Sequence, residues 1–85
     1  MFYVYVLKSK TKINKFYIGF SSNLRRRVHE HNNSQNKSTK HGIPWQLIYY
    51  EAYQSEQLAR EREHVIKKRG KVWQAIRSRL TRYDT

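Results

Sequence analysis

Phe2-Tyr3-Val4-Tyr5-Val6-Leu7, followed after a polar gap by Lys15-Phe16-Tyr17-Ile18-Gly19-Phe20, decides how this chain folds. The first stretch is β-branched or aromatic up to its closing leucine and reads as a strand buried on both faces. In the second, Phe16, Ile18 and Phe20 alternate with Lys15, Tyr17 and Gly19, which is the period of a strand. Between them, residues 8–14 hold no apolar side chain but Ile13, and so short a connection favours antiparallel pairing.

Working outward, Ser21, Ser22 and Asn23 are all helix-capping types, and residues 24–31 follow a helical period through Leu24, Val28 and His31. Residues 32–42 are rich in Asn, Ser and Lys without an apolar side chain, and are expected to form a mobile loop that Pro44 closes. Residues 46–53 read as a third strand. Ser55 caps a second helix over residues 56–68, which Gly70 is expected to stop. A third, basic helix over residues 71–83 carries Val72, Trp73, Ile76 and Leu80 on one side. The order strand, strand, helix, strand, helix, helix predicts an α/β fold: a small three-stranded antiparallel sheet flanked by about three helices, one domain over residues 1–85.

The composition points to a polyanionic partner. Lys and Arg number 18 against 6 Asp and Glu, so the formal net charge is 18 − 6 = +12. A charge that far from zero says little about the fold and much about partners, nucleic acid before an anionic membrane surface. With no Cys there is no disulfide framework, thiolate zinc site or Cys nucleophile, which fits a cytoplasmic protein. The longest apolar run, Phe2 to Leu7, is far short of the ~20 residues that a membrane helix needs, so no membrane partner is expected. Six acids leave material for one divalent ion on one or two carboxylates.

Periodicity sorts the candidate chemistry. Tyr5 shares a strand face with Tyr3 and Leu7, and Tyr17 shares one with Gly19. In a hairpin these can be the same face, so that two phenols flank a gap where a ligand approaches the backbone. The plainer reading of both is a core tyrosine with a wet tip. On the first helix, at roughly 100° per residue from Leu24, Val28 falls near 40°, His31 near 340°, Arg27 near 300° and Arg26 near 200°. Arg27 and His31 therefore border the core side, where an Arg stem lying on the sheet can present its guanidinium to a phosphate. Arg26 points to solvent, as a merely basic face would. His29 and His31, two apart on a helix, do not face one another and make no metal pair. Glu63 aligns with Ala59 and Ile66 at the rim of the second helix's apolar side. It is either the partner of Lys67 one turn on or the single carboxylate of a metal site.

Tyr3-Val4-Tyr5, about ten residues, Tyr17-Ile18-Gly19, then Asn23-Leu24-Arg25-Arg26-Arg27, together resemble the GIY-YIG nuclease domain. Residues 59–68, Ala-Arg-Glu-Arg-Glu-His-Val-Ile-Lys-Lys, are similar to that family's metal-binding helix. The likeness is nearest to the small stand-alone bacterial members, described as predicted endonucleases. It implies that Tyr5 and Tyr17 are the motif tyrosines, Arg27 the catalytic arginine, Glu63 the metal-binding glutamate and His31 a polar residue lining the site. Tyr3 stands where the first motif has Gly, no Asn follows Glu63 in these 85 residues, and no second DNA-binding domain is expected.

The expectation is a metal-dependent endonuclease that hydrolyses DNA phosphodiester bonds, in repair or recombination, with one Mg²⁺ or Mn²⁺ on Glu63. Arg27 would stabilise charge on the phosphoryl oxygens. Tyr5 or Tyr17 would orient the attacking water, one of them taking its proton at a pKa depressed by Arg27 and the metal, with His31 as the substitute base. Lys37, Lys40, Lys67, Lys68, Arg69 and Lys71 would bind the nucleic acid, and a protein partner would supply target choice. The alternative is a GIY-YIG module that grips nucleic acid by charge and cleaves weakly or not at all.

Overall fold

The structure, a computed structural model, describes residues 1–81. Its order is β1 (Phe2–Ser9), β2 (Phe16–Ser21), α1 (Leu24–Asn32), a 3₁₀ turn (Lys40–Gly42), β3 (Trp45–Tyr53), α2 (Glu56–Lys68) and α3 (Gly70–Thr81). The three strands form one antiparallel sheet in the order β2-β1-β3. The most apolar strand is therefore the central one, and Val4, Tyr5, Val6 and Leu7 are all fully buried.

Strand alternation splits the core in two. Val4 leads one half, closed by Ala59 and Ile66 of α2 and Ile76 of α3, with Phe2, Ile18 and Phe20 against them. Tyr5 and Leu7 lead the other, closed by Trp45 and by Leu24 and Val28 of α1. The sheet is thus a middle layer with α1 on one face and α2 and α3 on the other. Glu51, which pairs with Val4 across the sheet, ties β3 to α2. It accepts 2.8 and 3.1 Å hydrogen bonds from Arg62, and others from the Tyr49 and Tyr53 hydroxyls. Burial opposes a charge there, but those four donors outweigh it and hold the Glu51 carboxyl down at about 2.

The helices start where capping residues stop them from starting earlier. The Asn23 side chain accepts from the Arg26 N–H, and the Ser55 hydroxyl from the Leu58 N–H. Two expectations change. Gly70 does not end α2 with a left-handed turn: no glycine among the described residues has a positive φ, α2 ends at Lys68 with Arg69 as its C-cap, and Gly70 opens α3. The last two residues of the expected third helix, 82 and 83, lie outside the described residues.

The second change concerns residues 33–44, which are anchored. Thr39 is buried, the Trp45 indole N–H donates to the Thr39 carbonyl at 2.7 Å, and the Asn32 side chain clamps both the N–H and the carbonyl of Trp45. Gly42 is needed because a Cβ there would run into the Trp45 ring. An apolar count misses this, because polar side chains do the anchoring.

Candidate active site

Helix α2 lies over β1 and β2 on one face of the sheet, whereas α1, on the other face, packs mainly on β3 and reaches the β2 edge through its side chains, His31 against Tyr17. Tyr5 faces α1 from the central strand, and Gly19 lies directly across from it on β2. Gly19 does not open a gap for a ligand, contrary to the expectation. A Cβ there would collide with the Tyr5 hydroxyl and ring, so the space the glycine leaves is filled by Tyr5 itself. Tyr17, two residues earlier on the same face of β2, sits diagonal to Tyr5 with ring centroids 6.2 Å apart.

Helix α1 brings His31 and Arg27 onto these phenols. The His31 ring centre lies 4.7 Å from that of Tyr17 and 5.9 Å from that of Tyr5. Its Nδ1 is 2.8 Å from the Thr39 hydroxyl, and that hydroxyl donates to the Asn36 carbonyl. The tautomer that leaves no hydroxyl proton of the network without an acceptor has the ring proton on His31 Nδ1 and Nε2 as an acceptor, and His31 is assigned so. Tyr5 then donates to Nε2 at 2.9 Å, and its oxygen in turn accepts from Arg27 Nε at 3.3 Å. The chain Arg27–Tyr5–His31–Thr39–Asn36 is thereby satisfied at every link.

Exposure separates the members of this chain. Tyr5 and His31 are fully buried, and Tyr17 is half-buried. The Arg27 side chain is 34% exposed against 65% for Arg26, as the helical angles predict. Burial pushes the Tyr5 phenol up to about 12. The Arg27 hydrogen bond pulls it the other way without prevailing, and Tyr17 and Glu63 add to the upward push. Of the two phenols, one of which is expected to be lowered by Arg27 and a metal, Tyr5 is the one that its own surroundings raise. Burial and the adjacent Arg27 charge hold His31 down at about 4, so it is neutral at pH 7, in keeping with its acceptor Nε2. Arg27 is held above its ordinary value by the Tyr5 hydrogen bond, with Glu30 as a second partner at 3.2 Å.

Helix α2 supplies the acid. The Glu63 side chain is 20% exposed and its Oε2 lies 3.0 Å from Lys67 Nζ, so the ordinary pair one turn apart does form. Lys67 also lies 6.0 Å from the centre of the Tyr17 ring, which places the pair at the β2 edge beside the phenols. The other described acids are committed elsewhere. Glu30 pairs with Arg27, Glu51 is held inside, and Glu56 and Glu61 pair along the outer face of α2. Among the described residues no three His, Cys, Asp or Glu side chains cluster as a ligand set. One hard carboxylate oxygen is what Mg²⁺ or Mn²⁺ asks of a protein when substrate phosphate and water complete the shell. A multi-ligand transition-metal site does not fit.

The expected nucleic-acid ligands divide into two groups. Lys67, Lys68, Arg69 and Lys71 are exposed around the junction of α2 and α3, on the side of the sheet opposite α1, whereas Lys37 and Lys40 are exposed on the segment that follows α1. Two residues that hold the site together are not evident from the sequence. Glu30 could have been found from its i+3 spacing to Arg27. Thr39 could not, because no periodicity points from residues 33–44 back to His31.

The chain matches the model of the GIY-YIG catalytic domain over residues 1–75. It is similar to a UPF0213 protein of Clostridium perfringens, 39% identical over 69 residues that cover 80% of this chain and 72% of the relative. A UPF0213 protein of Staphylococcus saprophyticus is 36% identical over 66 residues, 76% of this chain and 78% of the relative. One of Haloquadratum walsbyi is 35% identical over 66 residues, 76% and 72% respectively. No solved structure matches. The two tyrosine motifs, the α1 arginine and the α2 glutamate fall within the matched stretch, and the chain belongs to the GIY-YIG family of nuclease domains.

Proposed function

We propose that this protein is a divalent-metal-dependent endonuclease that hydrolyses DNA phosphodiester bonds at the β2 edge. The observation that carries this reading is the hydrogen-bonded chain that holds the Arg27 guanidinium by its Nε on the Tyr5 oxygen, beside the half-buried Tyr17. A basic face that merely attracted phosphates would have no use for two buried side chains behind one of its arginines.

The roles follow from exposure. Tyr17 is the phenol that reaches solvent; it orients the attacking water and takes its proton as the phenolate, the form that Arg27 and a bound metal would favour. Arg27, pinned at Nε and by Glu30, turns the rest of its fork toward the phosphoryl oxygens and stabilises the charge that builds there. Tyr5 and His31 are positioning residues: both are fully buried, and Tyr5 keeps its proton at any physiological pH. Glu63 would hold the metal, displacing Lys67 from its carboxylate. A divalent cation on Glu63 supplies Lewis-acid polarisation of the phosphate and neutralises the leaving oxygen. Lys67, released from Glu63, and its neighbours Lys68, Arg69 and Lys71 hold the DNA backbone by charge.

The test is nicking of a supercoiled plasmid by the purified chain with Mg²⁺ or Mn²⁺, and with EDTA in their place. Nicking that requires the metal is the expected result. Binding without nicking under every metal condition would leave only the nucleic-acid-binding module.

A further inference from the structure

A cleft of about 420 Å³ opens at the hairpin between β1 and β2, and another of about 300 Å³ opens beside the proposed catalytic edge, between β2, the end of α2 and the start of α3. The first is lined by the end of β1 and the loop after it, residues 8–14, with Gln46, and has no aromatic wall. The second is different. Phe16 and Trp73 form one wall, their rings edge to face at 5.3 Å. Tyr17 and Lys67 form the side nearest the catalytic residues, and Gly70 lies on its border.

We infer that this second cleft takes the base of an unpaired nucleotide of the DNA strand whose phosphate lies at Tyr17 and Arg27. The inference rests on the nuclease reading for the position of that phosphate. Three observations support it. The cleft is continuous with the site, because Tyr17 belongs to both. Its wall is aromatic and its side cationic: Lys67 stands over Tyr17 at 6.0 Å, while Arg77, 4.9 Å over the Phe16 ring, is outside the lining. An aromatic wall beside a cation is what a base next to its own phosphate needs. Lastly, Gly70 borders the cleft without serving the backbone: its φ is not positive, and a Cβ on it would meet nothing within 4 Å, so the border has room for a side chain. A base inside a duplex is stacked and paired and cannot enter such a cleft, so the preferred strand is single at this nucleotide.

Trp73→Ala would remove a partner of the core as well as the cleft wall, so the informative variant is Gly70→Leu. It adds a bulky side chain at the border of the cleft, at an exposed first position of a helix, and a melting curve confirms that it folds. The probes are two single strands of equal length and charge, one with all its bases and one with abasic residues throughout, titrated against metal-free protein. The wild type is expected to bind the intact strand about 5–150-fold more tightly, the range for one stacked base. In Gly70→Leu that ratio should fall to about one. Equal affinity of the wild type for the two strands would overturn the inference, and so would a ratio that survives Gly70→Leu. The nuclease reading is scored separately, by cleavage of the intact strand once Mg²⁺ is added. Cleavage without base preference removes the cleft alone, and base preference without cleavage leaves the cleft and removes the nuclease.

Discussion

Tyr5 and His31 are both fully buried and joined by a 2.9 Å hydrogen bond in which the phenol donates to Nε2. That direction is assigned from the whole network: with Nδ1 donating to Thr39 and Thr39 to the Asn36 carbonyl, every hydroxyl proton has an acceptor. The pair therefore acts from behind the surface, as a brace for Arg27, while Tyr17 stands in front of it.

The two motif tyrosines should fail in different ways when each loses its hydroxyl. Tyr17→Phe is expected to cut cleavage about 10²–10⁴-fold, the usual worth of a positioned proton acceptor, with little change in melting temperature. Tyr5→Phe strands a buried Nε2 acceptor, which costs about 1–3 kcal/mol. In a chain this size that is a fall of several degrees in Tm. Its cleavage should drop through a loosened Arg27, with the pH profile unchanged. Thermal melts and single-turnover rates on both variants decide it; a Tyr5→Phe protein as stable as the wild type would break the brace.

Glu63→Gln keeps the shape of the side chain and removes its charge. Folding should survive, since the lost partner is a Lys67 that is 45% exposed, and exposed pairs contribute little. DNA binding should hold or tighten as a negative charge leaves the phosphate site. Cleavage should fall at least about a hundredfold. A variant that cleaves at the wild-type rate would reduce Glu63 to the helix-surface partner of Lys67.

The fold was legible because each of its signals is local. The β-branched and aromatic run at residues 2–7 could only be a central strand, and Asn23 and Ser55 mark their helices by capping chemistry that needs no tertiary partner. The juxtaposition of Tyr5, Tyr17, Arg27 and His31 was legible for the same reason: periods of 2 and 3.6 put them on facing surfaces. What lay out of reach was the ranking of the two phenols. Tyr5 is buried to its hydroxyl because Gly19 opposite lets the ring lie flat against β2, and that depends on a register between strands. Thr39 was out of reach for a similar reason. Its role depends on residues 33–44 folding back over α1, held by Asn32 and Trp45, and polar anchors of that kind have no period.

The buried imidazole should make the protein acid-sensitive in a defined window. His31 titrates at about 4 in the fold against an ordinary 6.5, so the unfolded chain binds its proton first. Stability from this residue is intact above pH 6.5 and is lost as pH falls from there toward 4, by about 3 kcal/mol at the end. The Glu51 carboxyl, held down at about 2, adds its own loss only below its ordinary 4.5. Denaturant melts between pH 6.5 and 4.5 therefore read His31 with little interference. His31→Gln should flatten that part of the curve, and an unchanged slope would show that the loss comes from elsewhere.

Arg26 and Arg27 offer the sharpest contrast, because they are neighbours with the same chemistry. They differ by roughly 100° around α1, which leaves one side chain 65% exposed beside Glu30 and the other 34% exposed on the Tyr5 oxygen. If the face served only by its charge, alanine at either position would weaken DNA binding slightly and equally. A guanidinium fixed for the transition state behaves otherwise. Arg27→Ala should cost roughly 2.7–4 kcal/mol of barrier, about 10²–10³-fold in rate, as for the loss of one preorganised donor. Arg26→Ala should cost less than about tenfold, nearly all of it through binding. Arg27→Lys should restore only part of the rate, since an ammonium cannot hold the Tyr5 oxygen and fork two phosphoryl oxygens at once. Single-turnover cleavage at saturating protein removes the binding contribution and leaves the comparison clean. Equal rates for the two alanine variants would show that the hydrogen bond to Tyr5 positions nothing the reaction uses.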